Sequence, residues 1–216
     1  MPDFSKLREA VIEGDWKSAA AMTRTAIEAG EEPLAIVTQS LVPAMDEVGR
    51  RFDCEEYFVP ELLLAARAMK AAMEIVRPLL ENTGVEPAGR VVIGTVKGDL
   101  HDIGKNLVAS MLEGGGFEVI DLGADVAPER FVEAANTHKA QLVALSALLT
   151  VTMPAMRTTI DAFKAAGVRD RVKIMVGGAP ITQQYADAIG ADGYGESAGT
   201  AVALARKLVS LACASS

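Results

Sequence analysis

The chain has 216 residues, 50% of them hydrophobic, and carries 21 Lys and Arg against 29 Asp and Glu, a formal net charge of −8. That length holds one large domain or two small ones with a sizeable core, and the acidic balance argues against nonspecific binding to nucleic acid or an anionic membrane. No apolar run reaches the roughly 18 residues that a spanning helix needs, the opening Met-Pro-Asp-Phe-Ser-Lys is polar with no signal peptide behind it, and Cys54 and Cys213 match no zinc or redox spacing; the expectation is a soluble cytoplasmic protein with reduced thiols.

Residues 1–82 read as a helical domain. Asp3 or Ser5 is placed to cap a first helix carrying Leu7, Val11 and Ile12 and stopped by Gly14. Asp15 is placed to cap a second, which ends at Gly30. Pro33 suits the first turn of a third, whose apolar positions Leu34, Val37, Leu41, Met45 and Val48 recur at three- and four-residue spacing. A fourth starts near Pro60 and carries Leu62, Ala66, Met69, Met73, Val76 and Leu80. Short amphipathic helices with short loops predict a four-helix bundle. The Met69/Met73 pair suits either its core or a ligand contact. Between the third and fourth helices the predicted loop Arg50–Pro60 holds Phe52, Tyr57 and Phe58. It is either a loop anchored onto its own bundle or an apolar lid facing a flat ligand.

Residues 83–89 lie in a polar stretch with Gly and Pro and read as a linker. From 90 to 216 the pattern alternates between strand and helix. Strands are predicted at Val91–Val96, Glu118–Asp121, Leu142–Ser146, Lys173–Val176 and near Asp192–Tyr194, with helices over about Ile103–Glu113, Pro128–His138, Met153–Ala166, Thr182–Ile189 and Ser197–Cys213. His138 reads as a helix-end residue and Ala212–Ser216 as a frayed tail. The fold class expected is α/β: a flavodoxin-like (Rossmann-like) five-stranded parallel sheet of order 2-1-3-4-5, preceded by the helical bundle.

In such a sheet ligands bind at the carboxyl ends of the strands, around the point where the strand order reverses. The first strand runs into Gly98-Asp99-Leu100-His101, with Asp102 placed to cap the next helix. A carboxylate that takes the proton of one ring nitrogen leaves the other free to bind a metal. A bare Asp-x-His also describes a loop histidine that merely hydrogen-bonds its neighbours. The third strand ends in the hydroxyl-rich Ser146–Thr152 and the fourth in Gly177-Gly178. That glycine pair fits either a close ligand approach or a tight turn. Together these ends describe a site for one large ligand, with a histidine at its mouth and a slot lined by small and hydroxyl residues.

The pattern Asp99-x-His101-x-x-Gly104, then Ser146-x-Leu148, then Gly177-Gly178 resembles the cobalamin-binding fingerprint. By it the chain, helical domain included, resembles the corrinoid proteins of anaerobic methyltransferase systems and the cobalamin-binding module of methionine synthase. The resemblance implies that His101 is the lower axial cobalt ligand, that Asp99 holds its other ring nitrogen, and that Thr152 stands where methionine synthase extends this relay with a serine. It places the remaining corrinoid contacts at Gly98, Leu100, Asp102, Gly104, Ser146, Leu148, Thr150, Gly177 and Gly178, and at Ala198 if Tyr194–Ala198 aligns without a gap. It makes Phe52, Val59, Leu62 and Leu63 an apolar cover over the upper corrin face.

The function implied is that of a methyl carrier. Bound cobalamin or a related corrinoid takes a methyl group as Co(I) from a substrate:corrinoid methyltransferase. It then passes the group from methyl-Co(III), the methylcobalamin state, to a methylcorrinoid:tetrahydrofolate or thiol-coenzyme methyltransferase. A reductive activator is a further implied partner. Methanol, methylamines, betaines, methyl thiols and aryl methyl ethers all feed carriers of this type. The chain shows neither zinc-site spacing nor a catalytic barrel, so substrate activation is expected of its partners. The alternative, a cobalamin-binding sensor or regulator, needs an output module, and no basic recognition helix is visible.

Overall fold

The computed structural model describes residues 4–83 and 87–213, with side chains up to Leu80 in the first stretch and up to Ser210 in the second. Asp3, the middle of the expected linker and the end of the expected tail lie outside them. The chain divides into two units, one of Met1–Pro87 with Glu113–Gly116 and one of Ala88–Leu112 with Phe117–Ser216.

The first unit is helical: α1 (Ser5–Ile12), α2 (Trp16–Glu28), α3 (Pro33–Ile36), a wide turn over Val37–Leu41, α4 (Val42–Asp53) and α5 (Val59–Thr83). Asp15 caps α2, its carboxylate accepting from Ser18 N–H at 3.1 Å and from Ser18 Oγ at 2.6 Å. Ser5 is not a cap. It is the first helical residue of α1, and Phe4 holds the cap position with no side-chain hydrogen bond. Gly14 has φ +73°, and a Cβ on it would sit 2.5 Å from Leu64 Cβ, so only glycine fits that turn.

The expected third helix is interrupted for a covalent reason. Pro43 has no N–H to give to Gln39, four residues back. The ladder widens there, with Val42 N–H reaching Val37 O five residues back, and Arg8 Nη2 donates to Gln39 O at 2.7 Å. The expected loop Arg50–Pro60 is shorter than its sequence implied. α4 continues through Asp53 because Glu47 accepts from both Arg50 and Arg51 within one turn, at 2.8 Å each. Phe52 is therefore helical. Tyr57 anchors the remaining connection. It accepts from Arg51 Nη1 at 2.9 Å and donates to Ile12 O at 3.4 Å. Leu7, Val11, Ile36, Leu41, Met45, Val48, Leu62, Met69 and Val76 are buried, so Met69 is core, while Met73 is half-buried.

The second unit holds a parallel sheet in the order β2-β1-β3-β4-β5, as expected. The strands are β1 (Arg90–Thr95), β2 (Glu118–Asp121), β3 (Leu142–Ser146), β4 (Lys173–Gly177) and β5 (Gly193–Gly195). The helices are α6 (Ile103–Gly114), α7 (Pro128–Thr137), α8 (Pro154–Ala165), α9 (Gln183–Ile189) and α10 (Ala198–Cys213), with a 3-10 turn at Arg169–Arg171. The strands' contiguous apolar runs are buried on both faces, as helices on both sides of a parallel sheet require. Val92, Val143 and Ile174 pack with Phe131, Met156, Ile160 and Phe163. The register aligns Thr95, Ser146, Gly177 and Gly195 in one row at the carboxyl end.

Candidate functional site

Three loops meet at the carboxyl end of β1. After β1 the chain turns at Gly98, whose φ of +86° puts it in the left-handed region, and Asp99 N–H closes the turn onto Val96 O at 3.1 Å. The Asp99 side chain is fully buried. A buried carboxylate is tolerated only when its lone pairs are filled. Asp99 Oδ1 accepts from His101 N–H at 3.0 Å and faces His101 Nδ1 at 2.7 Å. Its Oδ2 accepts from Thr152 Oγ1 at 2.6 Å, Leu148 N–H at 2.8 Å and Leu149 N–H at 3.3 Å. Burial pushes the Asp99 carboxyl up. The hydrogen bonds from Thr152, from the His101 and Leu148 amides and from the His101 ring outweigh it, and hold the group well below the usual carboxylate range.

This fixes the histidine. An ionised Asp99 can only accept, so Nδ1–H donates to it, which leaves Nε2 as the nitrogen with the free lone pair. Nε2 has no partner among the described residues, and the side chain is 48% exposed. Thr95 Oγ1 donates to His101 O at 3.0 Å, tying the backbone to the row of small residues. Thr152 Oγ1 is also 2.8 Å from Leu149 O, so its one proton is shared between that carbonyl and Asp99.

The third loop was not singled out from sequence. Asp125 Oδ1 accepts from Gly98 N–H at 2.8 Å, its Oδ2 pairs with Lys97 Nζ at 3.0 Å, and its own N–H donates to Asp99 O at 2.9 Å. The Gly98 amide and then Lys97 lower the Asp125 carboxyl from its ordinary value. Lys105 on α6 is nearly wholly buried and ion-pairs with Asp121 at the end of β2. The expected order, with β2 beside β1, is the one sequence signal that could have found this loop.

The other expected contacts fall into groups. Leu100, Gly104, Leu148 and Thr150 are exposed, Asp102 and Ser146 are half-buried, and Asp102 serves α6 through its carbonyl, which accepts from Asn106 N–H at 2.7 Å. Ala198 is buried at the start of α10. Both residues of the glycine pair stand where a side chain would meet backbone. A Cβ on Gly178 would lie 1.9 Å from Ala147 O, and one on Gly177 would lie 3.0 Å from Gly195 O. In the first unit Phe52 is half-buried and Val59 and Leu63 are exposed, as are Phe58 and Leu64. Leu62 departs from its expected place. It is fully buried, on the same stripe of α5 as Ala65, Met69, Ala72 and Val76, three and four residues apart, and belongs to the bundle core rather than to an exposed apolar face.

Among the described residues no group of three or more His, Cys, Asp or Glu is placed to hold a metal ion. A metal carried by a macrocycle needs only one protein ligand, and the site offers that. It presents one imidazole nitrogen, fixed from behind, on loops whose Leu100, Leu148, Leu149 and Val151 are exposed apolar residues, as is Ile103 at the start of α6. An apolar rim around one basic nitrogen suits a large flat ligand bearing a cation. Among the described residues no helix is long and apolar enough to cross a membrane.

A family model described as a B12 binding domain matches residues 89–203, and a second of the same description matches residues 4–77. The trimethylamine corrinoid protein 2 of Methanosarcina mazei is 47% identical over 202 residues, 93% of this chain and 93% of that one. Among solved structures, a cobalamin-binding protein from Desulfitobacterium hafniense DCB-2 superposes with a TM-score of 0.81 at 31% identity, covering 96% of this chain and 99% of that one. A chain of the methanol:cobalamin methyltransferase complex MtaBC from Methanosarcina barkeri superposes with a TM-score of 0.82 at 31% identity, covering 95% of this chain and 78% of that one.

Proposed function

The chain belongs to the corrinoid proteins of anaerobic methyltransferase systems, and from that premise we propose that it carries methyl groups between two methyltransferases, with His101 as the axial ligand of its corrinoid. The observation that carries the proposal is the half-exposed His101 ring, with Nδ1 on the buried Asp99 and Nε2 without a partner among the described residues. When bound, the corrinoid supplies the cobalt that takes up and gives away the methyl group.

The chain's residues do the rest. Asp99 orients the ring and makes Nε2 a better donor, as carboxylates do for ligating histidines. Thr152 and the Leu148 and Leu149 amides keep that carboxylate ionised. Ser146, Thr150, Gly177 and Gly178 are assigned the cofactor's nucleotide tail. Phe52, Val59 and Leu63 are assigned to shielding its reactive face from water and oxidant. The methyl donor proposed is a methylated amine, because the relative at 47% identity is a trimethylamine corrinoid protein and the methanol-system chain is 31% identical. A methylcorrinoid:tetrahydrofolate or thiol-coenzyme methyltransferase is the acceptor partner proposed, with a reductive activator to restore the cobalt.

The test is reconstitution with a corrinoid, followed by electron paramagnetic resonance of the Co(II) form. The parent should show axial nitrogen splitting, and His101→Ala should lose it. If splitting persists unchanged in His101→Ala, another group is the ligand. Methyl transfer from trimethylamine, glycine betaine and methanol, each with its candidate methyltransferase, tests the donor. Turnover with methanol alone overturns the amine assignment.

A further inference from the structure

Two loops grip the Asp99–His101 segment from opposite sides. From β3–α8, the Leu148 and Leu149 amides and the Thr152 hydroxyl hold the Asp99 carboxylate. From β2–α7, Asp125 holds the backbone that carries it. Its carboxylate takes the Gly98 N–H (2.8 Å) and the Lys97 ammonium (3.0 Å), and its amide gives a hydrogen bond to Asp99 O (2.9 Å). One residue thus fixes three consecutive residues, Lys97, Gly98 and Asp99.

Asp125 itself stands at φ +55°, a left-handed conformation that side-chain-bearing residues seldom adopt. Such a conformation persists only where the surroundings over-determine it. Here they do. Thr95 N–H donates to Gly123 O at 2.9 Å, Val126 N–H donates to Thr95 O at 3.0 Å, and Val96 pairs with Val126. Below them, Asp121 accepts from Gly123 N–H at 2.8 Å and pairs with the buried Lys105, so the loop is fastened to both β1 and α6.

We infer that Asp125 is a positioning residue for the axial histidine: by holding the Gly98–Asp99 backbone it sets where the His101 ring stands, without touching the cofactor. The inference rests on the reading of His101 as axial ligand. Nothing else on that side of the turn accepts the Gly98 N–H among the described residues. Without Asp125 the turn is left to its own 3.1 Å closure from Asp99 N–H to Val96 O.

Three variants separate the contributions. Asp125→Gly keeps the left-handed backbone and removes the acceptor. Asp125→Asn keeps both an acceptor oxygen and tolerance of positive φ. Lys97→Met removes only the ion pair. In Asp125→Gly the nitrogen-split fraction of the Co(II) signal should fall and corrinoid binding weaken roughly 10-fold, the low end for a residue that orients a ligand. Amide hydrogen exchange over Gly98–His101 should rise in the cofactor-free protein. Asp125→Asn and Lys97→Met should stay near the parent. Parental splitting and affinity in a folded Asp125→Gly overturn the inference. So does an Asp125→Asn that loses splitting, since charge and not the fixed backbone would then be at work, and this arm decides even if the glycine variant does not fold. A parent with no nitrogen splitting fails the His101 reading instead, and the inference with it.

Discussion

Asp99 is a carboxylate without access to water and with every donor it needs. This has a consequence for stability. Its carboxyl lies below the usual range in the folded chain, against about 3.9 in an unfolded one. A group lowered on folding adds stability that is fully present above the unfolded value and is lost as pH falls through the folded one. The cofactor-free parent should therefore lose stability progressively below about pH 4 through this group. Asp99→Asn cannot titrate there. It should be less stable than the parent at pH 7 by about 1–3 kcal/mol, the cost of disturbing a buried hydrogen-bonded group, and the gap should narrow on acidification. Denaturant midpoints at pH 7, 4 and 3 measure it. A gap that stays constant would mean that Asp99 is no more acidic folded than unfolded.

At the scale of elements, the glycine pair shows how a strand end supports the site indirectly. Gly178 sits at φ +126° with the Ala147 carbonyl where its Cβ would be. Ala147 N–H donates to Gly177 O at 3.3 Å, and the next amide, Leu148, holds Asp99. Gly178→Ala must displace that peptide. We expect a loss of about 1–3 kcal/mol together with weaker corrinoid binding. Gly190→Ala is the control. It has φ +77° but nothing within 4 Å of its Cβ position, so it should cost less stability and leave binding alone. Equal losses in both variants would reduce the glycine pair to backbone conformation. Much of this was legible in the sequence. Parallel strands covered on both faces are plain apolar runs, and β2 and β3 have the bounds their residues implied. The strand order then brought His101, Thr152 and the glycine pair to one edge. What escaped was written in no side-chain pattern. The wide turn before α4 follows from an N–H that Pro43 lacks, and the end of α4 from Glu47 serving two arginines. The Asp99 network is filled largely by backbone amides, and Asp125 acts on backbone too. Such partners become visible only once the loops are placed.

For the whole molecule, the proposed function raises the question of what would keep a bound corrinoid from water. Half of the residues are hydrophobic and the net charge is −8, so most of the exposed surface is expected to be strongly solvated. The first unit nonetheless exposes Phe58, Val59, Leu63 and Leu64 within seven consecutive residues, Phe58–Leu64. Singly exposed apolar residues are unremarkable, whereas a clustered set marks a surface meant to be covered. Our proposal gives Val59 and Leu63, with Phe52, the task of shielding the cofactor. The buried Leu62 beside them makes the test discriminating. Leu62→Ala should destabilise the helical unit by about 2–5 kcal/mol, as truncating a buried leucine does. Leu63→Ala removes no buried contact of that kind and should leave the unfolding midpoint within about 0.5 kcal/mol of the parent. Its effect should appear only in the loaded protein, as faster bleaching of the methylated corrinoid spectrum under controlled light and oxygen, and Phe52→Ala should act in the same direction. If Phe52→Ala and Leu63→Ala both bleach at the parental rate, the aromatic segment is an anchor for its own bundle. The hydrogen bonds of Tyr57 to Arg51 and Ile12 would then be its whole purpose.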